Sequence, residues 1–165
     1  DEITIDLPRA RVIELFDDPT NLSKWQEGFK SFEAISGVPG QPGAQSRLLY
    51  EINGRQLEMV ETITSRNLPD EFSGTYDAPN VHNIIRNLFY EDGPNRTRWV
   101  TENEFRFRGV IRVAAIFFGG SFKKQTAAYA QAFKRFAESA DSPGGDSETE
   151  ADAETESEEI TLQDE

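Results

Sequence analysis

The sequence predicts an α+β roll, a bent antiparallel sheet covered by one long C-terminal helix, and three observations carry that prediction. The middle of the chain alternates apolar and polar residues between turn signals. The segment from Phe122 to Ala137 repeats its apolar residues at spacings of three and four. Both the strands and that helix have a single apolar face, so each must cover the other. At 165 residues the chain is expected to form one domain, large enough to bury its apolar side chains without disulfides or metals.

The elements follow in order. "ITIDL" opens the chain as a strand, and "LFDDPTNLSKW" (Leu15 to Trp25) reads as two short helices divided by Asp-Asp-Pro. They form a lid over one end of the sheet, with Trp25 at its edge. "FKSFEAIS" supplies a strand before the Gly-rich "GVPGQPG". In "LLYEINGRQLEMVETI", Asn53-Gly54 tolerates positive φ at both positions and predicts a tight hairpin. Counting outward from the turn sets Tyr50 opposite Leu57, Leu48 opposite Met59 and Ser46 opposite Glu61, all on the inner face. Arg47, Glu51, Gln56 and Glu58 then face solvent. "EFSGTYD" follows the turn "NLPD" as a further strand.

A second hairpin is predicted around Asp92-Gly93-Pro94-Asn95. With a four-residue loop, Leu88 lies opposite Trp99, Arg86 opposite Thr101, Ile84 opposite Asn103 and His82 opposite Phe105. A slip of one residue would reverse one of the two strands. "VIRVAAIFF" (Val110 to Phe118) is apolar nearly all round and reads as a buried helix, which Gly119-Gly120 would break or kink. Beyond it, Phe122, Thr126, Tyr129, Ala130, Phe133, Phe136 and Ala137 form the core stripe of the final helix.

Charge divides the chain into residues 1–140, a globular domain, and residues 141–165, an acidic tail. The formal net charge is −13, but eleven acidic residues and no Lys or Arg fall between Asp141 and Glu165, leaving 19 acidic against 17 basic residues before it. The tail has two aliphatic residues large enough to pack, Ile160 and Leu162, and is expected to be disordered. It is either a solubilising extension or, at "EEITLQDE", a short interaction motif for a basic groove. The near-neutral domain presents no basic face, so no nucleic-acid partner is expected. There is no Cys, which excludes disulfides and Cys-ligated zinc and makes the cytoplasm the expected compartment. No apolar run is long enough to span a bilayer, so stable membrane insertion is not expected. "VIRVAAIFFGG" touching a membrane surface is the alternative to its burial.

The strand entering Pro8, "RARVIELFDDPTNLSKW", the meander with "NGRQLEMVETI", the strand "NEFRFRG" and the closing helix "FKKQTAAYAQAFKRFAES" resemble the START-like helix-grip superfamily, SRPBCC, and within it the polyketide cyclase/dehydrase-related group. The resemblance covers about residues 1–140. It implies a seven-stranded antiparallel sheet gripping the long C-terminal helix, two short N-terminal helices, and a cavity that in many members takes lipids, sterols or polyketides. Only some members are enzymes, and the resemblance does not explain the acidic tail.

The expected function is therefore binding of a small hydrophobic ligand, such as a lipid or polyketide-like metabolite, between the sheet and the C-terminal helix. Its expected contacts are Trp25, Leu48, Tyr50, Met59, Glu61, Ile84, Arg86, Trp99, Thr101, Asn103, Phe105 and Phe117. For Trp25 a plain core role is the competing reading. Five polar residues fall inward on this register: Glu61, His82, Arg86, Thr101 and Asn103. Glu61 and Arg86 either form a structural ion pair or hold a ligand carboxylate, carbonyl or hydroxyl. If the protein is an enzyme, Glu61 or His82 would move protons in a cyclisation or dehydration while Tyr50, Arg86 or Asn103 polarises a carbonyl. An interaction module of the chaperone-cofactor type is a third reading. No metal site or cofactor is expected: His82 is the only His, and no phosphate-binding loop, dinucleotide fingerprint, nucleophile elbow or zinc-protease motif occurs.

Overall fold

A computed structural model describes residues 1–52, 54–109 and 111–141, with the side chains of 111–125 excepted. The expectations for the tail, Phe117, Phe118 and Phe122 lie outside these. Seven strands form one antiparallel sheet: β1 (Glu2–Ile5), β2 (Phe29–Ser36), β3 (Gln45–Ile52), β4 (Arg55–Asn67), β5 (Glu71–Ala78), β6 (Val81–Glu91) and β7 (Thr97–Phe107). Their order is β1-β7-β6-β5-β4-β3-β2, so β1 and β2 are the edges. Helices α1 (Arg9–Asp17) and α2 (Leu22–Trp25) link β1 to β2, and α3 (Ile111–Ala140) closes the fold. The helix continues through Gly119-Gly120, which corrects the expected break there. Two Gly cost helix stability on the order of 2 kcal/mol within a helix of 30 residues.

The Asp-Asp-Pro break has a direct cause. Pro19 disfavours helical backbone at the residue before it, and Asp18 is extended at φ −83° and ψ 110°. Its carboxylate then accepts from Thr20 N at 2.8 Å and from the Thr20 hydroxyl at 2.7 Å, starting a 3-10 turn over Pro19–Asn21. These bonds hold the Asp18 carboxyl below its ordinary pKa. Asn21 is buried and donates Nδ2 to Leu15 O at 3.0 Å, pinning the turn to α1. Asp17 ties α1 to the sheet through a two-pronged pair with Arg66 of β4, at 2.6 and 2.5 Å.

The first hairpin has the expected register, with Tyr50 opposite Leu57, Leu48 opposite Met59 and Ser46 opposite Glu61. The second is shifted by one residue. Phe89 pairs with Trp99, Asn87 with Thr101, Ile85 with Asn103 and Asn83 with Phe105. The connection spans five residues, Asp92 to Arg96, and is closed by Asp92 N to Arg96 O at 2.9 Å and Arg96 N to Gly93 O at 3.4 Å. Because a one-residue slip flips a strand, His82, Ile84, Arg86 and Leu88 lie on the outer face, and Asn83, Ile85, Asn87 and Phe89 take the inner one.

The core lies where the second half of α3 crosses β1 and β7, with Phe89 of β6 in the same cluster. Phe133 is fully buried and meets the rings of Phe16, Trp25 and Trp99 at 5.2–5.7 Å. Phe16 also reaches Phe72 and Phe89, and Val12, Ile5 and Ala137 fill the gaps between them. Of the expected helical stripe, Ala130, Phe133 and Ala137 are buried and Thr126, Tyr129 and Phe136 half-buried.

Candidate functional site

The pairing places Ser46, Glu61, Tyr76, Asn83 and Phe105 in one row across the inner face, each opposite the next on β3 through β7. Four of the five are polar. This row lies toward the end where β7 leads into α3, away from the aromatic core. The chain places it there by strict alternation: Leu57, Met59, Glu61 and Ile63 of β4 share the face, as do Phe72, Gly74 and Tyr76 of β5. At Gly74 a Cβ would stand 2.9 Å from Thr62 O, beside an irregularity in pairing between Ile63 and Ser65, so the two backbones approach closely there.

Glu61 is 9% exposed and accepts a hydrogen bond from the Tyr76 hydroxyl at 2.6 Å. No cation of the described residues pairs with it. Burial pushes its carboxyl up from the ordinary carboxylate range, and the Tyr76 bond only partly opposes this. Tyr76 is pushed well above the usual phenol value by burial and by the neighbouring Glu61 charge. Tyr50 is also raised, first by burial and then by Tyr129 and Glu61; its hydroxyl donates to Gln26 Oε1 beside α2. Gln26, Tyr50, Glu61, Tyr76 and Tyr129 thus form an electrostatically connected group. Beyond it, Asn83 Nδ2 donates to Asn103 Oδ1 at 3.1 Å, and Asn83 Oδ1 is buried without a partner among the described residues. The arrangement offers a proton-holding carboxyl, phenols and an amide acceptor against the apolar side chains of Leu48, Met59 and Ile63, which suits a mostly apolar molecule with a hydroxyl or carbonyl.

The other expected site residues fall into three groups. Leu48, Tyr50, Met59, Asn103 and Phe105 lie on the inner face with Glu61, and Phe105 stacks on Phe107. Trp25, Trp99 and Thr101 belong to the packed end. Trp25 is buried against Phe16 and Phe133, while Trp99 Nε1 and the Thr101 hydroxyl both donate to the buried Asn87 Oδ1, at 3.1 and 3.3 Å. Ile84, Arg86 and His82 are corrected to the outer face. Arg86 pairs with Glu102 at 3.0 Å and Glu71 at 3.6 Å, which removes the expected Glu61–Arg86 pair, and His82 Nδ1 lies 2.7 Å from Asp77 Oδ1. The physical reason is the five-residue loop, which moves β6 by one position.

Tyr76, Asn83 and Gln26 are missed by the sequence reading. For Tyr76 the alternation of Phe72, Gly74 and Tyr76 was a usable signal, since two aromatics an even number of residues apart in a strand share a face. For Asn83 no such signal existed, because both faces of β6 mix apolar and polar residues. Among the described residues no group of His, Asp and Glu is placed to hold a metal ion, and no helix is long and apolar enough to cross a membrane. An open groove of about 580 Å³ lies between the α2–β2 connection and the last turns of α3.

Solved structures share the architecture. An aromatase/cyclase from Streptomyces sp. R1128 superposes with a TM-score of 0.74 at 16% identity, covering 88% of this chain and 95% of its own. A START superfamily protein from Mycobacterium smegmatis gives 0.67 at 13%, covering 85% and 96%, and a protein from Thermus thermophilus gives 0.67 at 15%, covering 86% and 97%. At these identities the likeness is one of fold. No curated protein matches the sequence. The sequence model described as polyketide cyclase/dehydrase and lipid transport matches residues 1–140, and the chain belongs to that family.

Proposed function

We propose that the protein binds a small, mostly apolar molecule against the inner face of the sheet, under α3, with a hydroxyl or carbonyl of the ligand directed to Glu61 and Tyr76. One observation carries this reading: a carboxyl is buried on the inner face of the sheet with a single phenol as its described hydrogen-bond partner and no described cation beside it. Such a group costs stability, and a family of lipid-transport and cyclase proteins supports a ligand as the reason to keep it. Native mass spectrometry of the purified protein is expected to release a co-purified compound of low polarity. Recovery of the empty mass alone, together with no binding of apolar fluorescent probes, would count against the proposal.

A second reading, acid–base catalysis of the cyclase or dehydrase type, is favoured by the raised pKa of Glu61. A carboxyl that retains its proton above the usual range is suited to donate it to a carbonyl or a leaving hydroxyl. Glu61→Gln keeps a hydrogen-bonding group of the same size but cannot transfer a proton. Under the catalytic reading it retains ligand and loses turnover; under the binding reading it retains ligand and no turnover exists to lose.

A further inference from the structure

We propose that the acidic C-terminal segment docks back onto its own domain, with Ile160 and Leu162 seated in the groove between α2 and the last turns of α3 and the flanking acids facing Lys24 and Arg135. The proposal stands apart from the ligand reading.

The groove has an aromatic floor and a cationic rim. Trp25 and Phe136 line it, Lys24 and Arg135 flank it, and Glu27 is the acid on its edge. Ten Lys and Arg residues of the described surface pair with carboxylates: Arg9, Arg11, Lys30, Arg47, Arg66, Arg86, Arg96, Arg98, Arg106 and Lys134. Among the described residues, Lys24, Arg55, Arg108 and Arg135 have no such pair, and of these four Lys24 and Arg135 line the groove. Lys24 donates to Asn21 Oδ1 at 2.9 Å and stands 5.5 Å over the Phe136 ring, interacting with Asp18 only at longer range. Trp25 Nε1 is a buried donor without a described acceptor. The groove wall therefore presents donors and positive charge beside the half-buried rings of Phe29 and Phe136, the complement of a segment with carboxylates beside aliphatic side chains.

The segment 142–165 has that chemistry. It contains ten acidic residues and no Lys or Arg, and its two large aliphatic residues stand in "EEITL". It also starts in the right place. Ser139 lines the groove, and Asp141, two residues on, already sits 3.3 Å from Arg11 of α1. Nineteen residues from Asp141 to Ile160 reach roughly 25 Å as a flexible chain, several times the ~6 Å along α3 from Ser139 back to Arg135. Tethering makes docking intramolecular, at an effective concentration on the order of millimolar, so a weak contact suffices.

The absence of Cys allows a single nitroxide at Thr161→Cys in the full chain. Docking in cis predicts paramagnetic broadening of the Trp25 indole and the Gly28 amide, reduced by half or more in Lys24→Gln/Arg135→Gln and at high salt. Both substituted side chains are exposed, so the fold is retained. Broadening that is absent, that is spread evenly over the surface, or that survives the double substitution would overturn the proposal. So would broadening of an unlabelled copy mixed with the labelled one, which would mean docking between chains.

Discussion

Glu61 carries an energetic penalty that depends on pH. Its folded-state pKa lies above the value of 4.5 usual for this carboxyl, so over the interval from that value up to the folded one the native protein holds a proton that the unfolded chain has released. Stability therefore falls as pH rises through that interval, and Glu61→Gln, which has nothing to release, escapes the fall. Urea denaturation at pH 4.5 and pH 8 is expected to show the variant gaining stability relative to the wild type at the higher pH; an unchanged difference would mean that Glu61 is solvated. Phe133 acts in the opposite sense. Truncating this fully buried ring to Ala removes contacts with Phe16, Trp25 and Trp99 and is expected to cost about 3–5 kcal/mol by the same assay. Arg86→Ala, on the outer face and half exposed, is expected to change stability by no more than about 0.5 kcal/mol and to leave binding of an apolar probe unaltered.

Between elements, the connection from α2 into β2 depends on Gly28. It has a φ of +79°, and a Cβ there would stand 2.5 Å from Glu51 O, whose own amide donates to Gly28 O at 2.7 Å. Gly28→Ala adds left-handed strain to a backbone collision and is expected to cost about 2–3 kcal/mol, lowering the melting temperature by roughly 5–10 °C in calorimetry. The two hairpins show what the sequence makes legible at this scale. Asn53-Gly54 admits one tight turn, so counting outward placed Glu61, Tyr50 and Leu48 on the inner face. Asp92-Gly93-Pro94-Asn95-Arg96 admits loops of four or five residues, and the strand after Val81 alternates His, Ile, Arg and Leu with Asn, Ile, Asn and Phe, so neither face excludes the other. The deciding fact is tertiary: Phe89 stacks on Trp99 at 6.0 Å, and Asn87 satisfies both Trp99 and Thr101. Half of the candidate site was therefore readable from β3 and β4, and Tyr76 from the alternation in β5, while Asn83 required the pairing of β6.

For the whole molecule, one packed end and one polar-lined inner surface divide the labour. The aromatic group around Phe133 fixes α3 on β1 and β7, and the row from Ser46 to Phe105 lies toward the end of the sheet where β7 leads into α3. The alternation of the strands placed Glu61 on the inner side from sequence alone. The central claim is that an apolar molecule occupies the inner face. Isotope-filtered nuclear Overhauser spectroscopy on the methyl-labelled protein with naphthalene as the apolar probe tests it most directly. Saturable binding with contacts to the methyls of Leu48, Met59 and Ile85 is the predicted result; no saturable binding, or contacts confined to Leu49 and Ile84 on the opposite side of the sheet, would contradict it.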